Sequence, residues 1–326
     1  MPRKSKHSVT VEQMAQSLLK SCLLDVKAQL KVAAKEWRVS VDGVHKLRIS
    51  LRRTLACLDL FSEQFSVAKE TRWLQKTLRG VLKSAGKARD LDVLLARKMH
   101  EQGKAQVQLR KAWKRKRKEC QEPLRQSFET LVQEEKLQTK TRALLKSLSG
   151  NKSPSEKKAE ASGEAIPDRS SWRAQQLRDR IDQLLKKLPE GSQLKGMHSF
   201  RISAKQLRYV AELLQEFHAD KTTKQLLRSL ADVQKRLGRL QDEAVAAKSV
   251  ARLSSKLSRK QGKSLQSMSA NARVAAESKA VELSAWLNDK IVPELHRIVQ
   301  ALDQSVRPAP KPAKARSSAK RTRTAT

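Results

Sequence analysis

Residues 44–55 read VHKLRISLRRTL and residues 197–208 read MHSFRISAKQLR, one helical pattern stated twice at an offset of 153. Each copy sets a histidine, an arginine and a further basic residue at i, i+3 and i+7. These are His45, Arg48 and Arg52 in the first copy, and His198, Arg201 and Lys205 in the second. A second matched pair follows in the same order, LKSAGKARDLDVLL at 82–95 and KRLGRLQDEAVAA at 235–247, aligning Gly86 with Gly238 and Asp90 with Asp242. Two spaced matches in one order identify a tandem duplication. Whatever one half of the chain builds, the other must build again, and the duplicated element is a basic helix face suited to an anionic ligand.

The rest of the chain carries the same charge. Across 326 residues, 70 Lys and Arg stand against 33 Asp and Glu, a net +37 with a pI near 10.6. That balance favours polyanionic partners: nucleic acid, polyphosphate or an anionic membrane surface. It also implies self-repulsion that a bound polyanion relieves. Aromatic residues make up 3% of the chain, which argues against base-stacking modules that depend on aromatic platforms. Glycine and proline are scarce outside a few segments, as an all-α protein requires. Cys22, Cys57 and Cys120 are scattered and lack CxxC spacing, so reduced thiols are expected and a zinc site is not. No apolar run reaches the roughly 20 residues of a membrane span, and the N-terminal MPRKSKHS lacks the apolar core of a signal peptide. A soluble, cytoplasmic protein is expected.

Helical periodicity sets the organisation. Met14, Leu18, Cys22, Val26 and Leu30 recur every fourth residue and predict an amphipathic helix over 10–38. The first histidine helix is predicted over 42–62, with Asp42 as a candidate N-cap. A helix over 67–84, a turn at Gly86, a helix from Ala88 to Cys120 and another over 124–148 complete the first half. Residues 149–168, rich in Ser, Lys, Glu and Ala, read as a linker or mobile loop. The second half, 169–303, is predicted to hold helices over 171–188, 193–217, 221–237 and 240–260, then a final pair over 264–303 despite Pro293. Residues 304–326 read as a disordered tail, its final stretch from 307 holding seven basic residues, three prolines and no acid.

Placing residues at about 100° per position sharpens the repeated motif. With His45 at the origin, Val44, Leu47, Leu51, Leu55 and Leu58 fall on one arc between about 200° and 280°. Arg48 and Arg52 border that arc, and Ile49 and Ala56 flank them on the other side. In the second copy the arc is Met197, Phe200, Ala204, Leu207 and Ala211, the stripe is His198, Arg201, Lys205 and Arg208, and the far border is Ile202 and Tyr209. A solvated charged face normally lies opposite the apolar arc; these stripes are wedged between apolar flanks and contain no acid. Uncompensated cations are costly to bury, so the pattern points to a groove or channel filled by anions. Lys46 and Arg53 point away and read as surface charge. Neither motif supplies an activated nucleophile with a carboxylate orienter, and one histidine per copy among cations suits no metal. No catalysis and no cofactor are therefore expected.

These residues resemble the CHAD family, the conserved histidine α-helical domain. Family members carry a VHxLRVxxRRLR-like helix and an LGxxRDLDVLL-like turn in each of two halves. VHKLRISLRRTL, GKARDLDVLL, MHSFRISAKQLRY and LGRLQDEAVA match these in order, and the resemblance spans residues 10–303. It implies two pseudo-twofold-related four-helix bundles around a basic central cavity, and binding of inorganic polyphosphate rather than catalysis. Carried over residue by residue, it makes His45, Arg48, Arg52, His198, Arg201, Lys205 and Arg208 the expected cavity lining, with Arg89 as a further contact. Gln241 stands where Arg89 stands in the other half, and Leu55 where Arg208 stands, so the halves are not equivalent. No glutamate-rich, metal-binding segment of the triphosphate-hydrolysing kind fits, which suggests a stand-alone member. Such a protein is expected at polyphosphate granules.

Polyphosphate suits this composition, since it needs convergent Arg and Lys donors and no base stacking. Two other basic segments leave alternatives open. KAWKRKRKEC at 111–120 is either a solvated helix face or a second phosphate-contacting surface. The Ala/Pro/Lys/Arg tail resembles histone-H1-like tails, so non-specific DNA contact in a nucleoid- or granule-associated protein is the competing reading, against a merely solubilising tail.

Overall fold

Thr10 opens the first helix with a reciprocal cap. Its hydroxyl accepts the Gln13 backbone N–H at 3.2 Å, while the Gln13 side chain accepts the Thr10 N–H at 3.0 Å. The computed structural model describes residues 10–37, 42–65, 69–96, 104–148, 169–191, 193–254 and 259–306, and no strand occurs among them. The protein is all-α. The expected linker at 149–168 and the tail from 307 onward lie outside the described residues.

The first half contains α1 (Val11–Lys35), α2 (Gly43–Leu60), a short α3 (Ser62–Phe65), α4 (Lys69–Ala96), α5 (Lys104–Glu119), α6 (Glu122–Phe128) and α7 (Lys136–Leu148). The second contains α8 (Arg169–Leu185), α9 (Leu194–Gln215), α10 (Lys221–Ser254), α11 (Arg259–Trp286) and α12 (Val292–Val306). The duplication survives in the packing. In the first half α2 lies against α1 and α4; in the second α9 lies against α8 and α10. The two histidine helices, α2 and α9, also pack on each other and join the halves. Their union is reinforced by Phe61 stacked on Trp172 (ring centroids 5.3 Å, planes 16° apart) and by ion pairs from Arg53 to Glu216 and from Arg180 to Asp59, the latter at 3.6 Å. Arg53 is thus a brace between halves and not the surface charge expected of it. Wheel geometry along one helix had no view of the neighbouring helix that supplies Glu216.

The apolar periodicity of α1 is realised, with Met14, Leu18, Cys22, Val26 and Leu30 all buried. Burial of each such side chain contributes about 1.5–3 kcal/mol. Several boundaries differ from expectation. α4 runs unbroken through Gly86 and α10 through Gly238, where turns or breaks were expected. Glycine costs only about 1 kcal/mol inside a helix, a penalty that packing of Leu78, Val81, Ala85 and Ala88 overrides. Asp42 occupies the N-cap position of α2 but makes no side-chain cap bond; its φ of −95° and ψ of −2° are helical, not the extended geometry a cap requires. The helix expected over 124–148 is divided by a π-helical segment, Glu129–Gln133, and by Glu135 at φ 54°. A second π segment, Leu287–Ile291, precedes Pro293. Proline lacks an N–H and crowds the carbonyl four residues back, and the wider π turn lets the chain pass into α12 without a break.

The basic run at 114–118 is also resolved in part. Lys114, Arg115, Lys116 and Lys118 are exposed. Arg117 turns inward, with its Nε donating to Asp92 Oδ1 at 2.5 Å and its guanidinium 5.0 Å from the Trp37 ring centre. One of the five cations is therefore a structural tie between α5, α4 and the residues after α1.

Candidate functional site

The contact of α2 with α9 brings the two stripes face to face. Val44, Leu47, Leu51 and Leu58 are buried on α2, as are Met197, Phe200, Ala204, Leu207 and Ala211 on α9, and Leu55 is partly buried. The stripe residues Arg48, Arg52, Arg201, Lys205 and Arg208 sit half-buried beside this core. On the far border Ile49 and Ile202, matched in the repeat, are 40% and 44% exposed, so the stripes of cations run along an edge that is open to solvent.

Lys205 is the focus of the arrangement. Partial burial, followed by the fields of Arg201, Arg52, Arg48 and Arg208, pushes its pKa down to about 8. Two of those arginines come from α2 and two from α9. Arg48 is held below the usual guanidinium value by burial and by Arg52 and Arg89, against a partial offset from Asp90. His45 is lowered by burial and then by Arg89, with Arg48 and Lys205 also acting on it. His45, Arg48, Arg52, Arg89, Arg201, Lys205 and Arg208 therefore form one electrostatically connected set spanning α2, α4 and α9. Among the described residues, Arg52, Arg89 and Lys205 have no ion-pair partner. Arg208 is partly satisfied: its Nε donates to Glu212 at 2.7 Å and its Nη1 to the Gln234 side chain at 2.9 Å.

His198 is placed differently. Its Nδ1 lies 2.8 Å from Gln241 Oε1 on α10, in a hydrogen bond that ties α9 to α10. The departure from Arg89 to Gln241 thus gives the second half a neutral partner for its histidine where the first half has a cation beside its own.

Gly86 has a role that sequence spacing assigned to a turn. Arg48 Nη1 donates to the Leu82 carbonyl at 3.4 Å, and a Cβ on Gly86 would lie 2.7 Å from that nitrogen. The bare backbone at position 86 leaves the Leu82 carbonyl open to the guanidinium and seats Arg48 close against α4. Nothing lies within 4 Å of a Cβ on Gly238, so its counterpart holds no arginine in that way. The pair makes a controlled test. Gly238→Ala is expected to raise stability by up to about 1 kcal/mol, the helix-propensity gain, and leave anion binding unchanged. Gly86→Ala is expected to keep that gain, because only the end of a flexible side chain must move, yet to weaken anion binding by about threefold to tenfold through loss of part of one charge-assisted hydrogen bond. Thermal melts and binding isotherms on the two variants check this.

The arrangement can hold a multiply charged, elongated anion. Its donors are spread along two helices rather than gathered at a point. Among the described residues, no cluster of three or more His, Cys, Asp or Glu is placed to hold a metal ion, and no helix is long and apolar enough to cross a membrane.

Comparison with known proteins agrees with the motif reading. A model of the CHAD domain family matches residues 22–251. Among solved structures, the fold is similar to the crystal structure of the CHAD domain from the plant Ricinus communis. The TM-score is 0.54 at 21% identity, and the match covers 90% of this chain and 92% of that one. At that identity the likeness speaks for the fold alone. No curated protein matches the chain.

Proposed function

The chain belongs to the CHAD domain family, and on that premise we propose that it binds inorganic polyphosphate along the cleft between α2 and α9, without turning it over. The observation that carries this reading is the convergence on Lys205 of arginines from both copies of the repeat, with burial and mutual repulsion lowering its proton affinity. Such a cluster is unfavourable when empty and is relieved by a chain of phosphates. Arg48, Arg52 and Arg201 serve as forked donors to phosphate oxygens, Lys205 as a point charge between them, and Arg89 and His45 extend the track toward α4. Arg208 contributes while sharing its charge with Glu212, and His198 marks the far end of the second stripe. Association with polyphosphate granules follows as the cellular expectation.

The test is a competition titration at physiological ionic strength, using labelled long-chain polyphosphate with orthophosphate and duplex DNA as competitors. It is run on the full chain and on a deletion of 307–326. Polyphosphate is expected to bind both forms alike, with orthophosphate a poor competitor at equal phosphate concentration. If DNA displaces polyphosphate equally well from the deleted form, the cleft is a generic polyanion surface and the proposal fails. DNA binding that disappears with the tail instead supports two separate functions.

Binding is also expected to take up protons. A bound polyanion raises the pKa of Lys205 from about 8 and that of His45 from its depressed value, so affinity rises as pH falls. The gain comes first through the region near pH 8 and again below the ordinary histidine range. Each step is bounded at about tenfold per unit of pKa regained. Calorimetry in two buffers of different ionisation heat reads the uptake, and His45→Ala is expected to remove only the acidic step.

A further inference from the structure

Lys205 is the only amine in a cluster otherwise made of guanidinium groups and an imidazole. The matched position in the first copy is Arg52, and an arginine does not deprotonate under ordinary conditions. The duplication has therefore diverged so that one phosphate-facing position, in one copy, is a potential nucleophile. An amine attacks carbon only in its neutral form. At about pH 7.5 an ordinary lysine is neutral roughly once in a thousand molecules, whereas a lysine of pKa about 8 is neutral in roughly a quarter of them. The side chain is half-buried, not sealed, and lacks an ion-pair partner among the described residues. The groups that face it are Arg201 and Arg208, four residues before and three after it on the same face of α9, and Arg48, Arg52 and His45 on α2, which packs directly against α9.

We propose that Lys205 is a site of covalent acylation by small acyl phosphates, with Arg48, Arg52 and Arg201 docking the donor's phosphate and presenting its carbonyl to the ε-amine. This rests on the reading of the cluster as a phosphate site and adds a means of regulating it. Acyl phosphates are singled out because they carry the recognised group and the electrophilic carbon on either side of one oxygen. In the step, the Lys205 Nζ lone pair forms an N–C bond to the carbonyl carbon. The bond from that carbon to the bridging oxygen breaks, and the oxygen leaves with its electron pair as phosphate. The surplus proton on nitrogen passes to the departing phosphate. The products are an amide and orthophosphate, with no oxidation or reduction. The modified side chain has lost its positive charge at the centre of the cleft, so acylation weakens polyphosphate binding, and bound polyphosphate blocks acylation.

The experiment treats the full chain with acetyl phosphate and follows each lysine by mass spectrometry over time. Lys205 is expected to react about 20-fold faster than the exposed Lys114, Lys116 and Lys118. That factor combines the ~200-fold gain in neutral amine with a ~tenfold loss of intrinsic nucleophilicity in a weaker base, as seen for thiols. Long-chain polyphosphate is expected to protect Lys205 and not Lys116, and Arg48→Ala to slow Lys205 alone. Acetic anhydride, which has no phosphate to dock, is expected to lower the preference for Lys205 at least threefold. A Lys205 rate no faster than the surface lysines overturns the proposal. So does an equal preference with acetic anhydride, which leaves the arginines no docking role. Arg48→Lys, which keeps the charge, guards against a loss of folding by restoring part of the rate. If polyphosphate binds normally in a separate isotherm while Lys205 is unreactive, only the acylation fails. If Lys205 reacts fast but polyphosphate neither binds nor protects, the binding assignment fails instead.

Discussion

Replacing Arg48 and Arg201 together by alanine is expected to lower polyphosphate affinity by two to three orders of magnitude at physiological ionic strength while leaving the helical fold intact. The two residues are counterparts in the repeat and approach Lys205 from opposite helices. Each hydrogen bond to a charged group contributes about 1.5–3 kcal/mol, so removing two together takes away about 3–4 kcal/mol of binding with some allowance for rearrangement. The slope of log affinity against log salt is expected to fall by about 0.7 for each phosphate no longer neutralised, by analogy with single-stranded nucleic acid. A double variant of exposed cations, Lys46→Ala with Lys118→Ala, removes the same formal charge and is expected to change affinity less than threefold, as screened surface charge does. Isotherms at three salt concentrations, with circular dichroism on each variant, decide the matter. Undiminished affinity in the Arg48/Arg201 variant removes the cleft from consideration as the binding site.

The second large effect concerns the free protein and runs in the opposite direction. Lys205→Met is expected to stabilise the ligand-free chain at neutral pH by about 1–2 kcal/mol, a few degrees in Tm, because solvent screening of this half-exposed amine takes away part of the repulsion. The sign follows from linkage. The folded-state pKa of Lys205 is about 8 against an ordinary 10.5. Between those values the unfolded chain binds more protons, so wild-type stability climbs as pH rises from 8 to 10.5. Below pH 8 the lysine is protonated in both states and the full repulsion is present. Methionine keeps the hydrocarbon stem and removes the charge, so its advantage is greatest below pH 8 and disappears above about 10.5. Adding polyphosphate is expected to reverse the ranking, raising the wild-type Tm more than that of the variant, since a ligand stabilises in proportion to its affinity for the folded state. Melts across pH, with and without polyphosphate, check both halves of the statement. An unchanged Tm in the variant at pH 7 means that Lys205 carries no strain.

The helical class and the two matched histidine helices were legible from residue spacing, because burial alternates with a period that the apolar residues of α1, α2 and α9 keep faithfully. Convergence of the stripes on one cavity came instead from the family resemblance, since neither copy of the repeat says what faces it. The failures share one cause. Gly86 and Gly238 read as breaks by local preference, yet their helices continue because neighbouring residues pack and, at position 86, because Arg48 lies against the bare backbone. Arg53 read as solvent-facing on an isolated wheel and instead meets Glu216 across the joint. Glu212, which shares Arg208, stands one turn beyond the stripe and outside the motif. The π segments had no periodic signature to reveal them, although Pro293 marked where one was needed. In each case the deciding partner lay on another element or beyond the motif window.

The joint between α2 and α9 has a last consequence. A cleft made from two identical subunits would assemble by collision and come apart on dilution, and symmetry would bind both of its walls to the same sequence. Carrying both walls on one chain removes that dependence on protein concentration and frees each wall to change alone. Leu55 opposite Arg208, Gln241 opposite Arg89 and Arg52 opposite Lys205 are such changes. The two walls therefore present different side chains to whatever lies between them, a difference that a symmetric assembly could not make.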